Sequence, residues 1–241
     1  MLSLFLVPSL PSGTALTVEG DEAHHAIKVM RLGMGEEVLL SDGSGAWARA
    51  KITGMDKRSF DVDISARGIE IDGSPELVVA QALTKSDRTK ESIELLVEGG
   101  VNRILPWQAQ RSIAKWKEDS GEKYLQAAQT AAKQSRRFTV PQIDFPISTS
   151  ELAKLSGSGT LILVFHESAE AKLSAALAQS DLARIRSIIC VVGPEGGISE
   201  DELATLSEAG AKIVTLGRPV LRSAHAGIAA LIAVQTLIGR F

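Results

Sequence analysis

Residues 188–203 read IICVVGPEGGISEDEL, and this stretch predicts the type of fold. Its apolar, β-branched start is typical of a buried strand, which ends in a Gly-Pro-x-Gly-Gly turn. Ser199 with Glu202 forms a capping-box pattern, so a helix begins directly after the turn. Ile198 and Leu203 form the matching hydrophobic staple. A strand, a glycine-rich turn and a helix in this order predict a ligand site at the carboxyl end of a strand in an open α/β sheet.

The turn itself allows two interpretations from its residues alone. Gly193, Gly196 and Gly197 lack a Cβ, so backbone amides could approach a ligand closely. The same residues could also form a tight connection that binds nothing. The turn does not close with Gly-Lys-Ser/Thr and is not Gly-x-Gly-x-x-Gly, which argues against nucleotide hydrolysis and ordinary dinucleotide binding.

Length and composition predict a globular protein with one large or two smaller domains. The chain has 241 residues, of which 44% are hydrophobic. Its single cysteine, Cys190, excludes an internal disulfide and fits a reducing cytosol. No apolar stretch is long enough to span a bilayer, and no basic region precedes the short apolar run at the amino terminus. We therefore expect a cytoplasmic protein with no membrane partner.

Pattern changes along the chain predict two domains. Short strands at 37–41, 46–52 and 60–65 and a helix at 21–30 precede a Gly-, Ser- and Pro-containing linker, which divides the chain into domains 1–72 and 73–241. After the linker, strands and helices alternate, as is typical of a parallel sheet flanked by helices. The predicted strands are 77–83, 101–105, 160–165, 187–192 and 212–216, and the predicted helices are 87–98, 116–134, 169–178, 199–209 and 222–238.

The last predicted helix is small-sided and apolar on most of its surface, so something must cover it. Its own sheet and a partner subunit are both possible covers.

Several fragments occur in this order in a known family, the bacterial 16S rRNA uridine-N3 methyltransferases (RsmE type) of the SPOUT superfamily. They are Gln81-Ala82-Leu83-x-Lys85-x-x-Arg88, residues 100–106, Arg111-Ser112, Gln134-Ser135-x-Arg137, His166-Glu167, Gly193-Pro194-Glu195-Gly196-Gly197 and Leu216-Gly217-x-x-Val220-Leu221-Arg222. The amino-terminal His24-His25-x-x-Lys28-Val29-x-Arg31-Leu32 and Asp42-Gly43 resemble that family's PUA-like RNA-binding domain. The resemblance covers nearly the whole chain, and its specificity comes from the shared order and spacing.

The resemblance implies a SPOUT-type, trefoil-knotted parallel sheet with helices on both faces, preceded by a small PUA-like β-barrel. It also implies a homodimer that binds S-adenosylmethionine and methylates N3 of a uridine in the decoding region of 16S rRNA, within the small ribosomal subunit. The knot rests on the resemblance alone, because general topology rules count against knots.

In that family the cofactor lies among three loops that follow strands. The resemblance maps them onto Phe165, His166 and Glu167, onto Gly193, Pro194, Glu195, Gly196 and Gly197, and onto Leu216, Gly217, Val220 and Leu221. No Cys, His and carboxylate cluster has metal-ligand spacing, so we expect no metal.

Methyl transfer depends mainly on alignment of the nucleophile behind the methyl carbon. Uracil N3 also loses a proton, which requires a base or a cation that stabilises charge on the ring oxygens. Arg222 is the predicted catalytic cation. Where the family often reads Leu-Arg-Thr-Glu-Thr-Ala, this chain has Ala224 in place of the Glu, followed by His225. His225 could assist proton removal or be a polar residue without a catalytic role.

The formal net charge of −3 implies that any RNA site is regional. Lys28 and Arg31 in the first domain, with Arg111, Arg136 and Arg137 in the second, are the predicted RNA-binding residues, mainly through phosphates. Two alternatives stay open. One is a non-catalytic RNA-binding or ribosome-assembly module of the same fold, and the other is a SPOUT methyltransferase that acts on another RNA.

Overall fold

The structure of the protein, a computed structural model, describes residues 2–157 and 159–241. The chain forms two compact units. The first contains the chain through Asp72 together with Ala132–Val140, and the second contains Gly73–Ala131 and Pro141–Phe241. The assignment of residues 1–72 and 73–241 to two domains stays a prediction, and it did not anticipate that Ala132–Val140 packs with the first unit.

Phe138 explains why this later segment belongs to the first unit. Its ring stacks on Trp47 with centroids 5.5 Å apart. Its carbonyl oxygen accepts hydrogen bonds from the Ser41 hydroxyl at 2.8 Å and from the Gly45 backbone N–H at 3.0 Å. One residue therefore supplies both an aromatic contact and a backbone acceptor to the sheet of the first unit.

The first unit is built on a five-stranded sheet in the order β1-β3-β4-β5-β2. Strands β1 and β3 are parallel, and the other pairs are antiparallel. Alternate residues of the long strands point into the core, as expected for a sheet with one buried face. The strands are β1 (Ser3–Leu6), β2 (Ala15–Glu19), β3 (Glu37–Ser41), β4 (Ala46–Met55) and β5 (Ser59–Ile69), and helix α1 (Gly20–His24) continues into a π-helical turn (His25–Val29).

This sheet is the small β-domain expected ahead of the parallel sheet. Two register shifts between β4 and β5 bend the strands. In the described part of the chain no pairing joins β1 to β2, so hydrogen bonds do not close this curled sheet into a full barrel.

The second unit contains a six-stranded, wholly parallel sheet in the order β11-β9-β10-β6-β7-β8. The strands are β6 (Glu76–Ala82), β7 (Arg103–Trp107), β8 (Gln142–Ile143), β9 (Thr160–Phe165), β10 (Ser187–Val192) and β11 (Lys212–Val214). The helices are α2 (Ser86–Glu98), α3 (Ser120–Ser135), whose last four residues belong to the first unit, α4 (Thr149–Lys154), α5 (Leu173–Ala178), α6 (Glu200–Glu208) and α7 (Ser223–Leu237). A short 3-10 turn spans Leu182–Arg184.

Helices cover both faces of the parallel sheet. Val78 and Ala80 of β6 share a core with Leu152 of α4 and Leu206 of α6. Strand residues alternate between faces, and Gln81 of β6 points to the other face, where it contacts α7. The expected α/β class, with a parallel sheet between helices, is confirmed. The knot implied by the resemblance stays a prediction.

The predicted elements agree best where the local pattern is strong. Strands 37–41, 160–165 and 187–192 have the predicted bounds. Cys190 of β10 is fully buried, and burial raises the pKa of its thiol to about 12, so it is a core residue that stays a neutral thiol. Among the described residues, no helix has both the length and the apolar character needed to cross a bilayer.

Three strands and one helix were not predicted from the sequence, namely β1, β2, β8 and α4. The predicted start of α3 also lies too far toward the amino terminus. The predicted helix 116–134 begins at Ser120, because the Ser120 hydroxyl accepts a hydrogen bond from the Lys117 backbone N–H at 2.9 Å and so stabilises a turn before the helix.

Candidate functional site

Three strand ends of the second unit meet at one edge of the sheet. Strands β9, β10 and β11 are parallel and end at Phe165, Val192 and Val214. A cavity of about 360 Å³ lies at this edge. The residues that follow the three strands line it, together with the first residues of α7. We call this space the strand-end cavity.

The strand-end cavity brings together nearly all of the residues predicted to hold the cofactor. Every one of them lines it except Gly196, and the predicted catalytic residue Arg222 lines it as well. The three loops are widely separated in the chain, and the parallel sheet gathers them because parallel strands place their carboxyl ends on the same side. Their roles in binding stay predictions.

The glycines of the turn are required mainly by the packing of the loop itself. A Cβ on Gly193 would lie 2.6 Å from Cγ1 of Ile198, which is too close for any side chain. Gly197 has a φ of +75°, in the left-handed region that favours glycine. A Cβ on Gly196 would lie 3.2 Å from the Cβ of Arg111, so this position faces the neighbouring loop. Access for a ligand, one of the two interpretations that the sequence left open, is therefore not needed to explain Gly193 or Gly196.

The predicted capping box at the start of α6 is confirmed. The Ser199 hydroxyl accepts from the Glu202 backbone N–H at 3.3 Å, and Oε2 of Glu202 accepts from the Ser199 N–H at 3.1 Å. The second oxygen of this buried carboxylate accepts from the Gln110 N–H and from the Thr149 hydroxyl, both at 2.8 Å. Glu202 thus also ties the glycine-rich turn to the loop after β7 and to the start of α4, which the sequence did not predict.

A buried chain of hydrogen bonds connects β6, the glycine-rich turn and α7. The Gln81 side-chain amide donates to the Ser223 hydroxyl at 2.9 Å, and that hydroxyl donates to the Gly193 carbonyl oxygen at 2.7 Å. Gln81 and Ser223 are both buried. These two hydrogen bonds therefore hold one wall of the strand-end cavity in place. They also position Arg222, the residue before Ser223. Sequence reasoning did not identify this role, although Gln81 belongs to one of the quoted motifs.

Arg222 is the N-cap residue of α7, and its side chain is exposed at the cavity. His225, one turn later, does not line the cavity. Its Nε2 lies 3.8 Å from Oε1 of Glu91 on α2, and both side chains are about half exposed. The two candidate catalytic side chains thus have different surroundings, and only the arginine faces the strand-end cavity.

Sequence reasoning missed an ion pair at the cavity wall. Nη1 of Arg88, on the first turn of α2, donates to Oε1 of Glu195 in the glycine-rich turn at 3.0 Å. Both residues line the cavity. The sequence feature that could have indicated this ion pair is the Lys85-x-x-Arg88 motif shortly after β6. It places an arginine near the carboxyl end of that strand.

The predicted RNA-binding residues fall into two groups. Lys28, Arg31, Arg136 and Arg137 lie in the first unit, although Arg136 and Arg137 were expected in the second domain. Arg111 lies in the second unit, where its Nη1 donates to the Gly196 carbonyl oxygen at 3.1 Å. Arg111 thus contacts the glycine-rich turn directly.

The four residues of the first unit differ in exposure. Lys28, Arg31 and Arg136 are exposed, and Nε of Arg136 donates to the Leu2 carbonyl oxygen at 3.1 Å. Arg137 is half-buried and donates to the Thr139 hydroxyl at 3.1 Å. Burial lowers the pKa of its guanidinium, while the Asp72 and Glu70 carboxylates act in the opposite direction. Arg137 is therefore the least exposed of the four basic residues.

In the described ranges, no three His, Cys, Asp or Glu side chains are grouped so that they could hold a metal ion.

Comparison with known proteins gives the family. The model of an RNA methyltransferase domain matches residues 72–235, and that of an RNA methyltransferase PUA domain matches residues 18–65. Ribosomal RNA small subunit methyltransferase E of Mycobacterium bovis is 38% identical, with 99% of this chain and 93% of that protein covered. The same-named protein of Bacillus subtilis is 28% identical, with 91% and 89% covered.

The crystal structure of Ribosomal RNA small subunit methyltransferase E from Neisseria gonorrhoeae, bound to S-adenosyl methionine, superposes with a TM-score of 0.88. It is 27% identical, and 98% of each chain is covered. A probable rRNA-methyltransferase from Porphyromonas gingivalis superposes with a TM-score of 0.82 at 26% identity, again with 98% of each chain covered. Since a methyltransferase model matches most of its length and a relative is 38% identical across nearly all of it, the chain belongs to the ribosomal RNA small subunit methyltransferase E family.

Proposed function

We propose that the protein transfers a methyl group from S-adenosylmethionine to N3 of a uridine in the decoding region of 16S rRNA. The observation that carries this proposal is the strand-end cavity, where the three loops expected to hold the cofactor come together. Membership of the methyltransferase E family supports the methylation of small-subunit rRNA, and the relative from Neisseria gonorrhoeae was crystallised with S-adenosyl methionine. The choice of uridine N3 rests on the sequence resemblance.

The residues at the cavity fit this cofactor. Its volume of about 360 Å³ falls in the usual range of small-molecule sites. Phe165, Val220 and Leu221 offer apolar surface for an adenine ring, and the adjoining loops offer backbone donors and acceptors. The carboxylates of Glu167 and Glu195 suit a ligand with a positively charged ammonium group, and Arg88 partly neutralises Glu195. When bound, S-adenosylmethionine supplies a methyl group on a positively charged sulfur.

Arg222 performs the electrostatic part of the reaction in this proposal. As the N3 proton of uracil passes to a solvent molecule, negative charge moves onto the ring oxygens, and a guanidinium beside the cavity stabilises it. The Gln81–Ser223–Gly193 hydrogen bonds hold the backbone next to Arg222 in place. The backbone from which the Arg222 side chain extends is therefore fixed in position.

The exposed basic residues Lys28, Arg31 and Arg136 of the first unit would bind rRNA phosphates, and this unit matches an RNA methyltransferase PUA domain. We further propose that the enzyme is a cytoplasmic homodimer that acts on rRNA within the small ribosomal subunit. The proposed domains are residues 1–72 and 73–241.

Mass spectrometry of nucleosides from purified 16S rRNA tests the proposal. A strain that lacks the gene should lose 3-methyluridine from 16S rRNA, and the wild-type gene should restore it. A different missing nucleoside would identify another target or another position of methylation. No missing nucleoside, together with no binding of S-adenosylmethionine by calorimetry, would favour the non-catalytic RNA-binding module.

A further inference from the structure

A second cavity, of about 750 Å³, lies in the second unit between α2, α3 and the segment that joins β7 to α3. We call it the interhelical cavity. It shares no lining residue with the strand-end cavity, although the neighbouring residues Arg88 and Thr89 of α2 line one cavity each. Its volume is enough for a ligand of nucleotide size or larger.

An aromatic pair forms part of its lining. The rings of Trp116 and Tyr124 have centroids 5.0 Å apart and are tilted by 56°. Tyr124 is buried, whereas the Trp116 ring is only half-buried. Ile113, which lines the same cavity, is 67% exposed. A half-buried indole next to an exposed aliphatic side chain presents flat apolar surface to solvent, and nucleobases stack on such surfaces.

The floor of the interhelical cavity is polar. The Tyr124 hydroxyl is hydrogen-bonded to the Thr89 side chain, and burial raises the pKa of Tyr124 to about 12, so the phenol is neutral at physiological pH. The hydroxyls of Thr84 and Thr89 lie 3.1 Å apart, and Thr130 lines the same space. The Thr89 and Thr130 hydroxyls already donate to the carbonyl oxygens of Thr84 and Gln126, both at 2.9 Å. They can therefore accept hydrogen bonds from the N–H groups of a base edge, which an aliphatic ligand could not provide.

The charge around the cavity is positive. Four lysines line it, Lys90, Lys115, Lys117 and Lys123, against one carboxylate, Asp119. Asp119 forms an ion pair with Lys123, and Lys90 pairs with Glu94. Lys115 and Lys117 are exposed and belong to none of the ion pairs of the described residues. The pKa of Asp119 is lowered first by its hydrogen bond with Lys123 and also by the charge of Lys117. A positive patch of this kind, in a chain whose formal net charge is −3, is complementary to phosphates.

We propose that the interhelical cavity binds an unpaired nucleotide of the RNA substrate, with the base stacked on Trp116 and the flanking phosphates near Lys115 and Lys117. The inference rests on RNA being the substrate. N3 lies on the pairing edge of uracil, so the target base must be unpaired before it can react. A neighbouring base held on Trp116 would replace the stacking that the strand loses and keep the strand open.

The test uses the full-length protein and a fluorescein-labelled single-stranded RNA of ten uridines, followed by fluorescence anisotropy. Trp116→Ala should weaken binding about tenfold, because one stacking contact is lost. The double variant Lys115→Gln/Lys117→Gln should lower the slope of log affinity against log salt by about 1.4, the expectation for two lost phosphate contacts on a single strand. These lysines are exposed, so their substitution leaves the core intact.

Two matched controls lie outside both cavities. Lys154→Gln removes an exposed lysine at the end of α4, and Phe145→Ala removes an exposed aromatic ring. Neither should change RNA affinity by more than about twofold. All variants should bind S-adenosylmethionine like the wild type in calorimetry, since none of the altered residues lines the strand-end cavity.

Wild-type RNA affinity in both Trp116→Ala and the double lysine variant would overturn the proposal. If Trp116→Ala instead changes the molar mass by light scattering and leaves RNA affinity intact, a second copy of the chain covers this cavity and the proposal is wrong. A separate experiment, the nucleoside analysis of the deletion strain, tests the proposed function. An unchanged 3-methyluridine content in the deletion strain would refute that function, while the anisotropy series would still show whether this cavity holds RNA.

Discussion

Arg222 and His225 lie one turn apart at the start of α7, but only Arg222 lines the strand-end cavity. We predict that Arg222→Ala slows methyl transfer about 100-fold or more, because it removes the cation next to the reacting base, while cofactor affinity stays near the wild-type value. His225→Ala should change the rate little, since His225 faces Glu91. Single-turnover assays on purified small subunits measure both rates. A near-normal rate for Arg222→Ala would refute the arginine assignment, and a large loss for His225→Ala would make the histidine the candidate base.

Arg31 and Arg136 have φ values of 55° and 57°, in the left-handed region where glycine is favoured. Each follows the end of a helical segment in the first unit. An arginine in a conformation that costs free energy suggests that the side chain is needed there.

For Arg31 this gives a prediction with opposite effects on stability and binding. Arg31→Gly should raise the free energy of unfolding by up to about 1 kcal/mol, because the backbone strain is relieved. It should also weaken RNA binding, because a phosphate contact is lost. Arg31→Ala should weaken binding to the same extent without the gain in stability. Urea denaturation and RNA anisotropy measure the two effects, and wild-type affinity in both variants would remove Arg31 from the RNA site.

The glycine-rich turn and the start of α7 depend on the Ser223 hydroxyl, which links Gln81 to Gly193. We predict that Ser223→Ala lowers the free energy of unfolding by about 1–3 kcal/mol, because it leaves a buried amide and a partly buried carbonyl without this partner. It should also weaken S-adenosylmethionine binding, since the wall of the strand-end cavity loses its anchor. Ser223→Thr keeps the hydroxyl and is the matched control. Equal stability and affinity in the alanine and threonine variants would show that these hydrogen bonds do not hold the site.

Helix α7 is also relevant to the proposed dimer, because one of its faces is fully buried and the other is partly exposed. Ala230, Leu231 and Val234 are fully buried within the chain, so burial against its own unit, one of the two expected covers, is confirmed for this face. Ile232 and Ala233 on the other face are only partly buried, and Leu237 is 47% exposed. A partner subunit would therefore pack on this second face. A test of this interface therefore places a charge on the second face, because a charge at Ala230 would disrupt the chain's own core.

We predict that Ile232→Glu converts the dimer to a monomer in light scattering at micromolar concentration, because it places an unpaired charge in the subunit interface. Leu155→Glu is the control, since Leu155 is an apolar residue 43% exposed that follows α4. It should leave the molar mass unchanged. A monomeric wild type, or a dimeric Ile232→Glu variant, would contradict the proposed interface.

Much of the second unit could be predicted because its signals are local. The run before Gly193 is apolar and β-branched, and Ser199 and Glu202 cap the next helix, so neighbouring residues alone define the strand, the turn and the helix. The same holds for the strands at 37–41 and 160–165. The loops of the strand-end cavity were predicted through the family resemblance, since no local pattern relates loops that lie far apart in the chain.

Several features that sequence reasoning missed depend on contacts between distant residues. Arg88 meets Glu195 across 107 residues, and Gln81 meets Ser223 across 142. Phe138 packs with the first unit because its ring and carbonyl find partners near Trp47, and nothing next to Phe138 in the chain indicates this. The two-residue strand β8 is too short to have a pattern of its own, and it exists because β7 provides a hydrogen-bonding edge. Local periodicity thus sets most of the strands and helices. The strand β8, the ion pair, the hydrogen bonds of Ser223 and the walls of both cavities form only when folding brings distant parts of the chain together.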